Sequence, residues 1–273
     1  MTCADCSSDP GLLLALNGAD ERLQLALGRL EAGGVQFLAS QEWNVPGEAV
    51  RFLAPGIRHM LDGLGLSGQD IRRIACVTGP GSFTGLRMSL ALVQGLAAGT
   101  GAMLAGLNHL ELLAGEAAQL NAGTVVALVW SRRGQVYAQA FQRSPESAVP
   151  SAVVLGPPQV VALTDMPKFL ASLPRPVSLL GGGLRRNLEF FEELATRDIG
   201  RDAGLRLLPA SWDAPRPAFL LDLASRAAFG AHALAPVYLR ASDAEDNLAA
   251  IAAGRGLSES EAQVILDRGS RPA

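Results

Sequence analysis

The first apolar run of the chain is Leu12-Leu13-Leu14-Ala15-Leu16, followed by Asn17-Gly18-Ala19-Asp20. A short continuous run closed by turn residues predicts a buried strand and a turn. Leu23, Leu25 and Leu27 then alternate with Gln24 and Ala26, the period of a half-buried strand. Gly33-Gly34 marks the next turn, and residues 35–39 form a third strand, so 11–42 reads as a β-meander. From 48 to 64 the period lengthens: Val50, Leu53, Ile57, Met60, Leu61 and Leu64 follow helical spacing, with Pro55 expected to kink the helix. Residues 71–78 are a buried strand, 86–98 a helix, 101–107 extended and 109–118 a helix.

A second, more β-rich unit follows. Residues 124–130 and 135–142 predict a hairpin around Arg132-Arg133-Gly134, and the Pro- and Ser-rich 144–158 reads as loop. Residues 177–180 predict a strand ending in Gly181-Gly182-Gly183, then a helix over 184–196. A proline-rich link (209–217) leads to a helix over 218–233. Pro236-Val237-Tyr238-Leu239-Arg240 closes the fold. Strands alternating with helices predict a layered α/β fold of two lobes. The first lobe is 1–108, with a helix at 218–235 packing back on it. The second is 109–217, and 241–273 is a C-terminal extension.

One segment stands out, Val77-Thr78-Gly79-Pro80-Gly81-Ser82-Phe83-Thr84-Gly85-Leu86-Arg87, between a buried strand and a helix. Gly79, Gly81 and Gly85 permit close backbone approach, and Ser82 or Thr84 can cap the helix. Exposed amides at a helix start attract anions. The physics allows a phosphate-facing turn and a tight packing turn equally. No Lys follows Gly85, as a P-loop requires. Pro80 stands where a nucleophile elbow needs Gly. Thr84 stands where a dinucleotide fingerprint needs its third Gly.

Charge and composition narrow the classes. With 49% apolar and 18% charged residues the chain folds, and its net charge of −3 supplies no basic face for direct nucleic-acid binding. Arg132-Arg133 and Arg185-Arg186 are isolated pairs that read as solvated surface. Three cysteines imply no disulfide framework: Cys3 and Cys6 form a lone C-x-x-C at the terminus, and Cys76 reads as a buried small hydrophobe. His59, His109 and His232 are too far apart in sequence to pair on one helix, so no metal site is expected. The first ten residues lack the basic region of a signal peptide, and no apolar run approaches a membrane span, so a cytoplasmic protein is expected.

The stretch from Val77 to Ala114 resembles the central segment of the TsaB/YeaZ proteins, bacterial relatives of the threonylcarbamoyl-transferase subunit TsaD. The resemblance extends to the helix with Pro55, to Gly181-Gly182-Gly183 and to residues 236–240. It implies a two-lobed actin-like ATPase fold (ASKHA, ribonuclease H-like), degenerate here. It also implies a non-catalytic subunit that binds and activates TsaD in tRNA threonylcarbamoylation, with TsaE joining them, TsaC supplying the threonylcarbamoyl-adenylate, and tRNA met only indirectly. Self-association is implied through the first-lobe helices. The implied contact residues are Val50, Leu53, Ile57 and Met60 on one helix and Arg87, Leu90, Val93 and Gln94 on the other. Against the family pattern, Asn17 stands where an Asp is common, and Trp130 and Gln135 replace an Asp and a Glu. Two catalytic acidic positions are thereby lost from the second hairpin and one from the first. A vestigial nucleotide site would comprise Asn17, Gly181, Gly182 and Asn187, although a glycine turn before a helix has a structural explanation too. No cofactor is expected on the chain alone, with ATP or ADP held in the complex. The alternative is an independent ATP-dependent enzyme or an M22-like peptidase.

Overall fold

Two sheets share one strand order. In the first, β1 (Leu12–Asn17), β2 (Arg22–Glu31) and β3 (Gly34–Asn44) form an antiparallel meander. Strands β4 (Ile71–Gly79) and β5 (Met103–Asn108) add in parallel beyond β1, giving β3-β2-β1-β4-β5. In the second, β6 (Thr124–Arg132) pairs antiparallel with β7 (Gln135–Arg143). The outer edge of β7 carries two short antiparallel strands, β8 (Ala152–Val154) and β9 (Gln159–Ala162). Strands β10 (Val177–Leu180) and β11 (Arg206–Leu207) extend from β6 in parallel. The same hairpin-then-parallel order is used twice, the α/β arrangement of the actin-like, ribonuclease H-like class. The computed structural model describes residues 11–120, 122–143, 152–197, 201–202, 204–239, 252 and 258. Both sheets lie within one compact unit, Met1–Val237, and Tyr238–Ala273 is a separate unit.

Strand β1 explains the unbroken apolar run. Leu12, Leu14 and Leu16 join the core under helices α1 (Val50–Gly63) and α2 (Phe83–Thr100), while Leu13 and Ala15 join the core on the opposite face. A strand covered on both faces needs no polar alternation. Helix α7 (Pro217–Ser225) covers that second face through Leu220, Leu221 and Ala224. Helix α3 (His109–Leu120) is buried along most of its length and lines one face of the second sheet with Leu110, Leu113 and Ala117. The other face is closed by α4 (Met166–Ala171) and α6 (Leu188–Thr196).

The structure revises three expectations, and helix α1 runs across Pro55. The 144–158 segment contains β8 at its end, because β7 offers a free edge that takes up Ala152–Val154. The helix expected over 184–196 is two, α5 (Gly182–Arg185) and α6, separated at Arg186-Asn187. The last helix stops at Ser225, well short of 233, where the chain turns so that Gly230 can bridge Leu104. Cys3 and Cys6, and nearly all of 241–273, lie outside the described residues.

Candidate functional site

The glycine segment joins β4 to α2. Ser82 is the N-cap: its Oγ accepts the Gly85 amide at 3.3 Å and its carbonyl accepts the Leu86 amide at 2.9 Å. Facing it is the β1–β2 turn, residues 17–21. The Ser82 amide, which a bound anion would use, donates instead to the Ala19 carbonyl at 2.7 Å. A Cβ at Gly81 would lie 2.2 Å from the Ala19 oxygen, and one at Gly85 2.2 Å from the Gly18 oxygen. Those separations are far inside van der Waals contact, so both positions require glycine. Gly79 has φ +132, and a Cβ there would meet the Val237 carbonyl at 2.7 Å. Of the two readings the sequence allows, the structure adopts the packing turn. Thr84 is exposed and caps nothing.

The triple-glycine turn after β10 meets the same residues from the other side. Gly181 has φ +105 and donates its amide to Asp213 Oδ1 at 2.9 Å. A Cβ on Gly182 would lie 2.2 Å from Asp20 Oδ2. Asn187 Nδ2 donates to the Gly183 carbonyl at 2.8 Å. Asn17 is buried: its Oδ1 accepts the Ala19 amide at 3.2 Å and its Nδ2 donates to Gln24 Oε1 at 3.0 Å. Gln24 in turn donates to Glu42 and to the Pro215 carbonyl. Asn17, Gly181, Gly182 and Asn187 are thus all committed to internal packing or hydrogen bonds, and they frame no open cradle. The facing glycines are filled by residues 18–20, and neutral Asn17 is hydrogen-bonded inside the protein.

Further side chains complete this junction through contacts that local sequence patterns did not predict. Arg186 reaches across to pair with Glu21, 165 positions away, and its guanidinium carbon lies 4.6 Å from the centre of the Trp130 ring. The isolated arginine pair is therefore not equivalent solvated surface, since its neighbour Arg185 is bound to Asp213. His109, at the start of α3, is buried and its Nδ1 donates to the Pro80 carbonyl at 2.9 Å. Burial depresses its pKa, opposed by the nearby Asp20 charge and by the bond to Pro80. Among the described residues no group of three His, Cys, Asp or Glu side chains could hold a metal ion. No described helix is long and apolar enough to cross a membrane. Only pairing between sequence-distant segments would have revealed the junction, and no local periodicity carries that information.

The helices expected to form an interface need a correction. Leu53, Ile57, Met60, Leu90 and Val93 are buried in the chain's own core, packed against the first sheet. They form the inward stripe of each helix and are not available to a partner. Gln94 is half-buried and donates to the Leu90 carbonyl. Val50 is 58% exposed, and Arg87 is exposed with its guanidinium 3.7 Å from the centre of the Phe83 ring. The outward face of α2 instead presents Phe83, Arg87, Met88, Ala91, Gly95 and Ala98. A Cβ on Gly95 would meet nothing within 4 Å, so the chain's own packing does not require that glycine.

Comparison with known proteins agrees with this fold. The family model for TsaD, tRNA N6-adenosine threonylcarbamoyltransferase, matches residues 48–161. The tRNA threonylcarbamoyladenosine biosynthesis protein TsaB of Bacillus subtilis is 28% identical over 235 residues, covering 85% of this chain and 96% of that protein. The Escherichia coli protein of the same name is 36% identical over 99 residues, 36% of this chain and 43% of that one. Among solved structures, YeaZ from Pseudomonas aeruginosa is similar, with 26% identity and a TM-score of 0.61. That match covers 84% of this chain and 100% of the other. A second structure from that organism, described as an uncharacterized protein with similarity to peptidase YEAZ, has 25% identity, a TM-score of 0.63 and the same coverage.

Proposed function

Because the chain belongs to the TsaB/YeaZ family, we propose that it takes part in threonylcarbamoyladenosine formation on tRNA as a non-catalytic subunit that binds and activates TsaD. The observation that carries this reading is the filled junction. Residues 17–21 occupy the space between the two glycine turns, and Asn17 and Trp130 supply no carboxylate there. A chain built this way contributes a surface rather than a reaction centre. The surface is the outward face of α2 beside α1, where Phe83, Met88, Ala91, Gly95 and Ala98 offer a partner helix apolar contact and close approach. The same face serves self-association. ATP or ADP belongs to the assembled complex, TsaE joins it, TsaC supplies its substrate, and tRNA is held by the partner, all in the cytoplasm.

Co-expression with the TsaD of the same genome tests this. A stable complex at micromolar concentration is expected, with no tRNA modification by the isolated chain. Failure to co-purify, or modification and ATP hydrolysis by the chain alone, would sink the proposal. Nothing at the junction favours the independent ATP-dependent enzyme or the peptidase. His59 and His232 are exposed and separate, and His109 is bound to Pro80.

A further inference from the structure

Three glycines in two sequence-distant turns, Gly81, Gly85 and Gly182, are each shaped around the single β1–β2 turn: Ala19 and Gly18 carbonyls on one side, the Asp20 carboxylate on the other. The turn therefore sits as a wedge between the start of α2, which belongs to the first sheet, and the loop after β10, which belongs to the second. Most of its contacts are backbone-close and shielded. At its rim lies a contact that water reaches: the Glu21–Arg186 ion pair, each side chain 45% exposed, with Arg186 backed by Trp130. Trp130 ends the straight part of β6, so the guanidinium is held between a strand of the second sheet and a turn of the first.

We infer that Glu21, Arg186 and Trp130 form a releasable latch that keeps the wedge seated, and that through it the triple-glycine loop and the first turn of α2 open and close as one unit. The chemistry suits a latch. An exposed ion pair is weak and salt-screened, whereas the carbonyl-on-glycine contacts beneath it hold only while the two sides are pressed together. Stacking on Trp130 keeps Arg186 oriented, so less side-chain freedom is lost when the pair forms. Because Ser82, the N-cap of α2, hangs on Ala19, release at Glu21 reaches the helix that carries the exposed apolar face. Asp20 and His109, with the Arg185–Asp213 pair behind the triple-glycine loop, are other ionisable groups at the wedge, so the double variant, which restores the net charge, is included.

Hydrogen exchange read by mass spectrometry on the full chain tests the latch without any partner. Glu21→Gln is the main variant and Arg186→Lys, which keeps the charge but loses the planar stack, is the second. Arg186→Met and the double variant Glu21→Gln/Arg186→Met complete a cycle. Expected are amides of residues 17–21, 82–87 and 182–187 exchanging about 2- to 10-fold faster, the range an exposed pair with a stacking contact can carry. The interiors of both sheets should keep their protection. The double variant should be no faster than the faster single one, and about 1 M salt should speed the wild-type chain at the same segments. Unchanged exchange, acceleration confined to one side of the wedge, acceleration spread over both sheets, or additive effects in the double variant would each overturn the inference.

Discussion

Replacing Asn17 with Asp would restore the residue common in the family, and the structure predicts that this should harm the protein. Asn17 and Gln24 are both buried, and their amides point in one direction. The Ala19 amide donates to Asn17 Oδ1, which leaves Nδ2 to donate to Gln24 Oε1 at 3.0 Å. Gln24 Nε2 is held by the Pro215 carbonyl at 2.7 Å and by Glu42. A carboxylate at position 17 would face the Gln24 oxygen. Rotating the Gln24 amide would only turn that oxygen onto Pro215 and Glu42, which are also acceptors. The introduced group keeps the Ala19 amide but must either stay charged with its other oxygen against the Gln24 oxygen, at about 3–5 kcal/mol, or stay protonated. Holding its pKa about three units above the ordinary carboxyl value costs about 4 kcal/mol at pH 7. The two routes agree, and correspond to a fall in Tm of about 8–16 °C. The sign with pH follows. The carboxyl would bind its proton more tightly in the folded chain than in the unfolded one, so the penalty is small near pH 4. It grows by about 1.4 kcal/mol per unit as pH rises towards the raised value. Urea unfolding of wild type and Asn17→Asp at pH 7.5 and pH 5.5 measures this, and adding Glu42→Gln should recover part of the loss by letting Gln24 turn. A penalty below about 1 kcal/mol at pH 7.5, or one that does not shrink at pH 5.5, would refute the reasoning.

Four further outcomes are expected. Gly95→Ala should stabilise the isolated chain by about 0.5–1 kcal/mol, since the site is open, while weakening capture of the cognate TsaD; calorimetry and pull-down read the two separately. Met88→Glu should leave the melting temperature nearly unchanged and reduce capture, whereas Leu90→Ala should cost about 2–5 kcal/mol of stability because Leu90 lies in the core. His109 has a depressed pKa in the folded chain, so its contribution to stability is complete above about pH 6.5 and declines as pH falls below that. His109→Gln, which can still donate to Pro80, should flatten the dependence of Tm on pH between about 5 and 7. Burial pushes the Cys76 thiol up to about 12, so iodoacetamide should leave it unmodified in the native protein and label it in urea.

Much of the fold is legible in the chain because its determinants are local. Strand β1 is a continuous apolar run because it is covered on both faces, and β6–β7 announces itself by a hairpin turn at Arg133-Gly134. What the local pattern misses depends on distant partners. β8 exists because an edge of β7 was open, and the last helix ends where Gly230 bridges β5. Helices α1 and α2 illustrate the same limit: helical spacing identifies an apolar stripe, but Leu90 and Val93 on that stripe serve the chain's own sheet, and the outward residues are the ones out of phase with it.

The glycine turns carry this furthest. A glycine before a helix is needed wherever something approaches the backbone closely, and the sequence does not say whether that is a phosphate or another part of the same chain. Here the approaching groups are the Gly18 and Ala19 carbonyls and the Asp20 carboxylate. A carbonyl oxygen placed on the Ser82 amide satisfies one donor that a phosphate could have used. The same internal acceptors pack the β1–β2 turn between the two glycine turns. Asn17 is neutral because its neighbour is Gln24, and Gln24 is oriented by Pro215 on the chain leading into α7. The neutral side chain at position 17 and the close packing of the β1–β2 turn thus belong to one hydrogen-bonded arrangement. On the proposed reading as a partner subunit, the seated turn sets the N-cap of α2, and a preformed helix face lowers the ordering cost of binding another subunit.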